Sequence, residues 1–301
     1  MSETMTKTVA QFEAIQTPYR LSIVIPAYNE AASIERVLAK VSAQLPDAEL
    51  IVVDDASRDA TVALATRAGA RVVSQPYNKG NGAAVKAGIR AATGEVILLL
   101  DADGQHDPTD LPRVLAPIGP YDLVVAARSR ASNASWTRGA GNALLNRFAT
   151  YLTGMQVDDL TSGFRAMKRD KIMEFIHLLP NRYSYPTTST MAFIKAGYSV
   201  KFVPIAAQQR EGGASGQKLL RNGVVFVTII LRMVTLFSPL KIFSPISAVL
   251  FVIGAAYGIY TIATEIHITN TTVLLVVTAL LIFLQGLISE QIAAYRFERR
   301  D

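Results

Sequence analysis

Two aspartates separated by one residue, Asp101 and Asp103, directly follow an apolar run at residues 96–100. Side chains at alternate positions of an extended segment point the same way, so both carboxylates and the amide oxygen of Gln105 can face one cation. An all-oxygen set of this kind suits Mg²⁺ or Mn²⁺, which would act on phosphate oxygens as a Lewis acid. Asp-x-Asp also occurs in ordinary turns, so its place after a buried strand is what favours a metal site.

A second acidic pair, Asp54 and Asp55, follows the apolar run at residues 50–53, and Glu30 follows the run at residues 21–25. Ligands of parallel α/β sheets bind beyond the carboxyl ends of the strands, so we expect these acids to meet at one edge. Two alternatives stay open. One of the paired aspartates could cap a helix ahead of Thr61, and Glu30 could open a helix whose dipole favours it.

Short apolar runs that alternate with helix-like segments must position these acids. Strands buried on both faces are continuously apolar, and helical crossovers of this length favour a parallel, right-handed βαβ arrangement. After a polar tail at residues 1–20 we predict an α/β nucleotide-binding domain at residues 21–215. The predicted strands are residues 21–25, 50–53, 71–74, 96–100 and 122–126, and the predicted helices are residues 31–45, 61–68, 80–92 and 140–153.

The hydrophobic residues, 50% of the chain, are concentrated after residue 223. Residues 224–237 are apolar but interrupted by Arg232, so we predict an interfacial amphipathic helix within residues 216–241. Residues 243–263 and residues 271–289 contain no charged side chain, and each segment is close to the ~20 residues that cross a bilayer. We therefore predict a transmembrane hairpin within residues 242–301; two buried core helices are the alternative.

The loop between the two spans, residues 264–270, contains no Lys or Arg, whereas basic residues flank the hairpin on both sides (Arg232, Lys241, Arg296, Arg299, Arg300). The positive-inside rule then predicts that the α/β domain and both termini are cytoplasmic. The tail at residues 1–20 lacks the apolar stretch of a signal peptide, which agrees with that orientation.

Composition excludes several classes of protein. The chain has no cysteine, so thiolate metal sites and cysteine nucleophiles are excluded. The net charge of +6 comes from scattered basic residues, which favours anionic lipid and phosphate partners over nucleic acid. The three histidines, His106, His177 and His267, lack the paired spacing of metal ligands.

Five sequence blocks together resemble the family 2 glycosyltransferases, and within them the dolichyl- and polyprenyl-phosphate sugar synthases. They occur in the family's order: IPAYNE from Ile25, VVDDAS from Val52, NKGNGAAV from Asn78, DADGQHDP from Asp101 and TSGFR from Thr161. The resemblance implies a Rossmann-like GT-A domain that binds a nucleotide diphosphate sugar. The Gly-rich block lacks the Gly-Lys-Ser/Thr of a phosphate loop, and we interpret it as a close approach of the chain to the bound donor.

The resemblance also implies roles for individual residues. It implies that the donor's base and ribose are bound by Pro26, Tyr28, Glu30 and Asp55. It implies that the metal and the diphosphate are bound by Asp101, Asp103 and Gln105. Asp103 and Asp159 are expected to carry catalysis, Arg128 and Arg138 to bind the acceptor phosphate, and Arg210 to lie near the diphosphate. A solvated surface role stays open for each arginine. The donor set is Pro26, Tyr28, Glu30, Asp55, Asp101, Ala102, Asp103, Gln105 and Arg210.

One departure from the family pattern lies at residues 210–218. Gly213 and Ser215 match, but Gly216 stands where the family has lysine, so Lys218 would have to replace it by a shift of the loop. The expected contact of Lys218 with phosphate therefore depends on that shift.

The predicted function is inverting, metal-dependent transfer of a hexose from GDP-mannose or a UDP-sugar to a polyprenyl phosphate at the cytoplasmic membrane face. A phosphate acceptor is already mostly ionised near neutral pH, so Asp159 is expected to orient a substrate rather than accept a proton. The alternatives are another lipid acceptor with Asp159 as its base, and a non-catalytic nucleotide-sugar-binding membrane protein. The sequence also allows a homo-oligomer.

Overall fold

The computed structural model describes residues 15–104, 108–128, 136–182, 184–205 and 219–297, with the backbone alone at 108, 136–140 and 219–226. The chain divides into two compact units. The first contains residues up to 142, 158–193 and 198–215. The second contains residues 143–157, 194–197 and the chain from 216 onwards.

The first unit is built on a seven-stranded sheet in the order β3-β2-β1-β4-β6-β5-β7. The parallel pairing predicted from the sequence is confirmed for β1 to β4, but β6 runs antiparallel to both β4 and β5, so the sheet is mixed. The strands are β1 (Leu21–Ala27), β2 (Glu49–Asp54), β3 (Arg71–Ser74), β4 (Val96–Leu99), β5 (Leu123–Arg128), β6 (Arg165–Lys168) and β7 (Val200–Ile205).

Helices connect the strands and continue after the sheet ends. Those predicted from the sequence are present with shifted ends, while α4, α6, α7, β6 and β7 had not been predicted. The helices are α1 (Ile34–Gln44), α2 (Thr61–Arg67), α3 (Asn81–Ala91), α4 (Leu111–Leu115), α5 (Trp136–Thr153), α6 (Arg169–Phe175), α7 (Tyr185–Lys195), α8 (Leu219–Phe237), α9 (Leu240–Glu265) and α10 (Asn270–Tyr295).

The core of the first unit lies on the central strands. Every residue of β1 is buried, because helices cover both faces of the sheet at this position. Helix α3 comes unusually close: a Cβ added at Gly88 would lie 2.2 Å from Val24 Cγ1 and 3.0 Å from Val53 Cγ2. Glycine at this position lets α3 pack directly onto β1 and β2, which fixes its N-terminus at the carboxyl edge of the sheet.

In the second unit α9 and α10 pack along each other through small residues. Ser247 Oγ donates to the Ala279 carbonyl at 2.7 Å, and a Cβ added at Gly258 would lie 2.7 Å from Thr272 Cγ2. These contacts pair the start of α9 with the later part of α10, so the helices run antiparallel. Both are long and apolar enough to cross a membrane.

The first turn of α9 is tied to the last turn of α5, also within the second unit. Pro245 has no amide hydrogen, so the carbonyl of Lys241, four residues earlier, loses its usual helical donor. The hydroxyl of Tyr151 donates to that carbonyl at 3.1 Å. In return, Lys241 Nζ donates to the carbonyl of Leu152 at 2.8 Å, where a cation is favoured by the C-terminal end of α5. The two helix ends therefore supply each other's missing hydrogen-bond partners.

Glu290, near the end of α10, completes this joint. Its carboxylate accepts a hydrogen bond at 3.1 Å from the amide of Leu240 at the N-terminus of α9, and it lies 3.5 Å from Lys195 Nζ. A carboxylate at a helix N-terminus satisfies an amide that the helix itself leaves without a partner. The joint therefore also links α9 to α10 at this end of the hairpin.

Candidate active site

A cleft of about 400 Å³ opens at the carboxyl ends of β1, β2 and β4. Seven of the residues that the sequence assigned to the donor line it together, although they come from three separate blocks. This volume is in the usual range for a small-molecule site. The seven are Pro26, Tyr28, Glu30, Asp55, Asp101, Ala102 and Asp103, and the other described lining residues are Ala27, Asn78, Gly80, Asn81, Ala84 and Arg182.

Strand register explains why these blocks meet. The parallel pairing of β1 with β2 sets Ala27 beside Asp54, and its pairing with β4 sets Val24 beside Leu99, so all three strands end at the same edge. Beyond the strand ends the chain turns sharply through left-handed backbone at Asn29 (φ 55°) and Ala56 (φ 65°). The residues that follow each strand therefore face the cleft instead of continuing the sheet.

Asp54 and Asp55 have different partners, and neither caps α2. Asp54 Oδ1 accepts a hydrogen bond from the amide of Ser57 at 3.0 Å. The Asp55 carboxylate accepts from the backbone amides of Lys79 and Gly80, each at 2.8 Å. The N-cap position of α2 is Ala60, and the nearby Asp59 Oδ1 accepts from the amide of Thr61 at 3.0 Å, so the capping alternative for the acidic pair is wrong.

The Gly-rich block forms the N-terminus of α3, and the segment at residues 180–182 packs against it. The amide of Ala83 donates to the carbonyl of Asn181 at 2.7 Å, and a Cβ added at Gly82 would lie 2.1 Å from the carbonyl oxygen of Pro180. A Cβ at Gly80 would lie 2.8 Å from Arg182 Cγ. The glycines are thus required by a neighbouring segment of the chain, which the sequence interpretation of a close donor approach had not included.

Asp101 and Asp103 are the candidate metal ligands. A Cβ added at Gly163 would lie 2.5 Å from Asp101 Oδ2, so the absence of a side chain at 163 makes room for this carboxylate. Within the described ranges no group of three or more His, Cys, Asp or Glu side chains forms a closed metal site. Two carboxylates still suit Mg²⁺ or Mn²⁺, because such ions are commonly held by one or two carboxylates together with substrate phosphates. Gln105 lies outside the described residues.

Arg128, at the end of β5, is paired with Asp159. Its Nε donates to Asp159 Oδ2 at 2.8 Å and its Nη2 to Asp159 Oδ1 at 3.1 Å, a bidentate arrangement. Nη2 also donates to Thr161 Oγ1 at 2.6 Å. The Asp159 side chain is 7% exposed and that of Arg128 32%. The structure therefore joins two residues that the sequence had assigned to separate roles.

This pairing sets the protonation of Asp159. Burial alone would raise the pKa of the carboxyl, but the hydrogen bonds and charge of Arg128 and the amide of Thr161 outweigh it and lower that pKa. The same pairing outweighs burial at Arg128 and raises the pKa of the guanidinium. A carboxylate with a lowered pKa is a weak base, which disfavours a proton-accepting role for Asp159.

Arg165, the last residue of the block TSGFR, is completely buried, and the sequence analysis had assigned it no role. Its Nη1 donates to the carbonyl of Pro186 at 2.9 Å and to Ser189 Oγ at 2.8 Å, and its Nη2 donates to the carbonyl of Ser162. Burial lowers the pKa of Arg165 to about 10, opposed by Tyr185 and by the charges of Asp159 and Asp101. It remains a cation at neutral pH and fixes the segment after Asp159 against α7.

Three other predicted residues cannot be placed. The backbone of α5 includes Arg138, but its side chain lies outside the described residues. Arg210 and Lys218 also lie outside them. The expectations for these residues stay predictions.

Comparison with protein families gives two matches. The family described as "Glycosyl transferase family 2" matches residues 22–176, which include the Arg128–Asp159 pair and every described lining residue of the cleft except Arg182. A second family, described as "GtrB C-terminal hairpin", matches residues 238–295. That range contains α9 and α10.

Relatives and solved structures agree with these matches. The chain is 30% identical to a polyprenol monophosphomannose synthase of Mycolicibacterium smegmatis over 67% of this chain and 82% of the relative. It is 26% identical to an undecaprenyl-phosphate 4-deoxy-4-formamido-L-arabinose transferase of Enterobacter over 84% of this chain and 78% of the relative. The fold resembles the glucosyl-3-phosphoglycerate synthase of Mycobacterium tuberculosis solved with Mn²⁺, UDP and glucosyl-3-phosphoglycerate, with TM-score 0.58, 23% identity, and 78% and 86% of the two chains covered.

These matches confirm both the GT-A type of α/β fold and the C-terminal hairpin. A family match over more than half of the chain, together with a relative of 30% identity across two thirds of it, establishes the family. The chain belongs to the family 2 glycosyl transferases and is a glycosyltransferase.

Proposed function

We propose that this enzyme transfers a hexose, with inversion, from GDP-mannose or a UDP-sugar to a polyprenyl phosphate at the cytoplasmic face of a membrane. The observation that carries the proposal is the cleft in which seven residues assigned to the donor meet. The names of the relatives, a polyprenol monophosphomannose synthase and an undecaprenyl-phosphate sugar transferase, support the acceptor class. The hairpin supports a substrate that lies in a bilayer.

In this proposal the donor's base and ribose bind between Tyr28, Glu30 and Asp55. Tyr28 is 44% exposed at the cleft, so its ring is available to stack on a base. Asp55 already accepts two backbone amides, and a carboxylate has about four acceptor positions, so it can take one more hydrogen bond from a base N–H. Its position is fixed before the donor arrives.

Asp101 and Asp103 would hold Mg²⁺ or Mn²⁺ together with the donor's diphosphate. A divalent cation bound there supplies Lewis-acid stabilisation of negative charge on the phosphate oxygens. Mn²⁺ in the complex of the M. tuberculosis synthase with UDP supports this assignment.

An acceptor phosphate oxygen would attack the anomeric carbon as the bond from that carbon to the diphosphate oxygen breaks. Arg128 and Arg138 are proposed to grip the acceptor phosphate, since guanidinium groups suit phosphate oxygens. The attacking oxygen is already ionised near neutral pH, so the step needs no base. Asp159, with its lowered pKa, orients Arg128 toward the acceptor, and this disfavours the alternative in which Asp159 activates an alcohol.

The test is a product assay on the purified full-length protein. The protein is incubated with a panel of GDP- and UDP-sugars, a short polyprenyl phosphate and Mg²⁺ or Mn²⁺. The mass of the lipid product is then measured by mass spectrometry. One donor is expected to add the mass of a single hexose to the lipid phosphate. Omission of the lipid is the control for hydrolysis of the donor. Donor hydrolysis that is the same with and without the lipid phosphate, with no glycosylated lipid from any donor, would refute the acceptor class.

The proposed orientation has its own test. A reporter inserted after Asn270, at the start of α10, is expected on the non-cytoplasmic side, with both termini cytoplasmic, because the basic residues flank the hairpin at its other end. A matched reporter at the C-terminus is the control. Cytoplasmic labelling at both positions would mean that the hairpin does not cross the bilayer.

A further inference from the structure

Arg182 is a cleft residue to which the sequence gave no role. The described residues that line the cleft include four acids, Glu30, Asp55, Asp101 and Asp103, and one base, Arg182. An anionic donor that enters such a cleft needs positive charge beyond what the metal supplies. Two carboxylates at the metal cancel the charge of a divalent cation, so the pair Asp101–Asp103 with its ion leaves the diphosphate without a counter-charge.

Four backbone amides of the Gly-rich block, those of residues 79, 80, 82 and 83, have partners already, so they do not provide that counter-charge. The amides of Lys79 and Gly80 donate to Asp55. The amide of Gly82 donates to the carbonyl of Arg182 at 3.3 Å, and that of Ala83 to Asn181. The N-terminus of α3 therefore differs from a helix end whose unpaired amides bind a phosphate.

The same hydrogen bonds hold the segment that carries Arg182. Lys86 Nζ donates to the carbonyl of Leu179 at 3.0 Å and to Asn181 Oδ1, which adds side-chain bonds to those from the start of α3. Glycine at 80 and 82 lets the segment lie directly on α3. The Gly-rich block thus places an arginine in the cleft where a phosphate loop would place amides.

We propose that Arg182 binds the diphosphate of the donor and holds the nucleoside diphosphate as it leaves. The inference rests on the proposed donor class and adds to it a residue that fixes diphosphate affinity. A guanidinium suits this task because its planar fork can donate two parallel hydrogen bonds to phosphate oxygens.

The experiment measures ligand affinity of the full-length protein by calorimetry in the presence of Mn²⁺. The ligands are uridine and guanosine, UDP and GDP, and the nucleotide sugar that the product assay identifies. The variants are Arg182→Gln, Arg182→Lys and the control Arg90→Gln, which removes an exposed arginine of α3 that does not line the cleft. Arg182→Gln is expected to weaken the nucleoside diphosphate about tenfold or more, the effect of losing a hydrogen bond to a charged group.

Nucleoside affinity is expected to stay the same in Arg182→Gln, and Arg182→Lys should give an intermediate loss. Equal thermal midpoints of the variants and the wild type show that the fold is intact. As a second variant, Lys86→Met loosens the segment and should weaken the same ligand by a smaller factor.

Three results would overturn the inference. Unchanged affinity for the nucleoside diphosphate would exclude the contact. An equal loss of affinity for the nucleoside would mean that Arg182 contacts the base or ribose. A loss confined to the nucleotide sugar would mean that it contacts the hexose. If the wild type binds neither UDP nor GDP, the donor class fails together with the inference. If the wild type binds one of them and Arg182→Gln binds it equally well, only the inference fails.

Discussion

The cleft and the Arg128–Asp159 pair use charge in opposite ways. At the pair, one arginine meets one carboxylate through two hydrogen bonds, and the acid is 7% exposed. At the cleft, the described lining holds four acids and one arginine around about 400 Å³ of open space. The pair is neutral without a ligand, whereas the cleft is acidic.

This difference separates what stabilises the fold from what binds ligands. A buried ion pair depends on both partners, since loss of one leaves an unpaired buried charge. An acidic cleft depends on cations that arrive with the ligand. Substitutions in the cleft should therefore change activity more than stability, and substitutions in the pair should change both.

The largest effect is expected at the metal. Asp103→Ala should reduce transfer by at least about 1,000-fold, because preorganised charge at the leaving group is lost. EDTA should inactivate the wild type, and Mg²⁺ or Mn²⁺ should restore it. Initial rates of lipid glycosylation measure both effects, with the exposed Asp47→Ala as a control outside the cleft. Full activity in EDTA would remove the metal from the mechanism.

Arg128→Ala should have a smaller effect on activity and a larger one on stability. It leaves the carboxylate of Asp159 buried without its partner, which should lower the free energy of unfolding by about 3 kcal/mol. Thermal melting in detergent measures this, and Arg90→Ala is the control for loss of one arginine at an exposed position. A midpoint that matches the wild type would mean that Asp159 is not held by Arg128 in solution.

The double variant Arg128→Ala/Asp159→Ala sharpens the comparison. Because the two side chains share hydrogen bonds, its loss of stability should be smaller than the sum of the single losses by about 1–3 kcal/mol. The same cycle with Asp103→Ala and Arg128→Ala should be closer to additive. Additive losses in the first cycle would show that the pair contributes no coupling energy.

The smallest effect is on the pH dependence of stability. The pKa of Asp159 is lower in the folded protein, so its contribution is fully present above the unfolded value of about 4 and is lost as pH falls through the folded value. Asp159→Asn should therefore melt below the wild type at pH 7, and the gap should narrow towards pH 3. Melting curves between these limits measure it; a gap that widens on acidification would contradict the lowered pKa.

Much of the sheet and of the cleft could be predicted because their signals are local. Strands β1, β2 and β4 are short and mostly apolar, and Asp55 and Asp101 lie within two residues of the ends of β2 and β4. Once the strands are parallel, their carboxyl ends share one edge, which places Asp55 near Asp101 without further information.

What the sequence did not predict depends on contacts between distant segments. Strand β6 has four residues, of which Arg165 and Lys168 are charged, so it lacks the apolar pattern of a strand. Helix α7 begins with Tyr185 and Pro186 followed by a run of buried Thr and Ser residues, which are weak helix formers. Arg165 makes that run possible, because it donates hydrogen bonds to the hydroxyl groups of Ser189 and Thr190.

Arg182 was missed for a related reason. Its position in the cleft follows from the fit of residues 180–182 onto Gly80 and Gly82, about a hundred residues earlier in the chain. The sequence shows the glycines but not what lies against them. The signal that was available is the pair of glycines itself, since tight approach of another segment is a common reason for glycine at a helix start.

The proline of α9 has a consequence for protein engineering. Replacement of a proline inside a helix by alanine is usually a safe way to raise thermostability, since proline costs about 3 kcal/mol in a helix interior. Here Pro245→Ala would supply an amide that reclaims the carbonyl of Lys241, which now accepts the hydroxyl of Tyr151. The substitution would compete with that hydrogen bond and weaken the joint between α5 and α9, although Lys241 Nζ would still donate to the carbonyl of Leu152. A stabilisation campaign on this enzyme should therefore leave Pro245 unchanged and begin elsewhere in the hairpin.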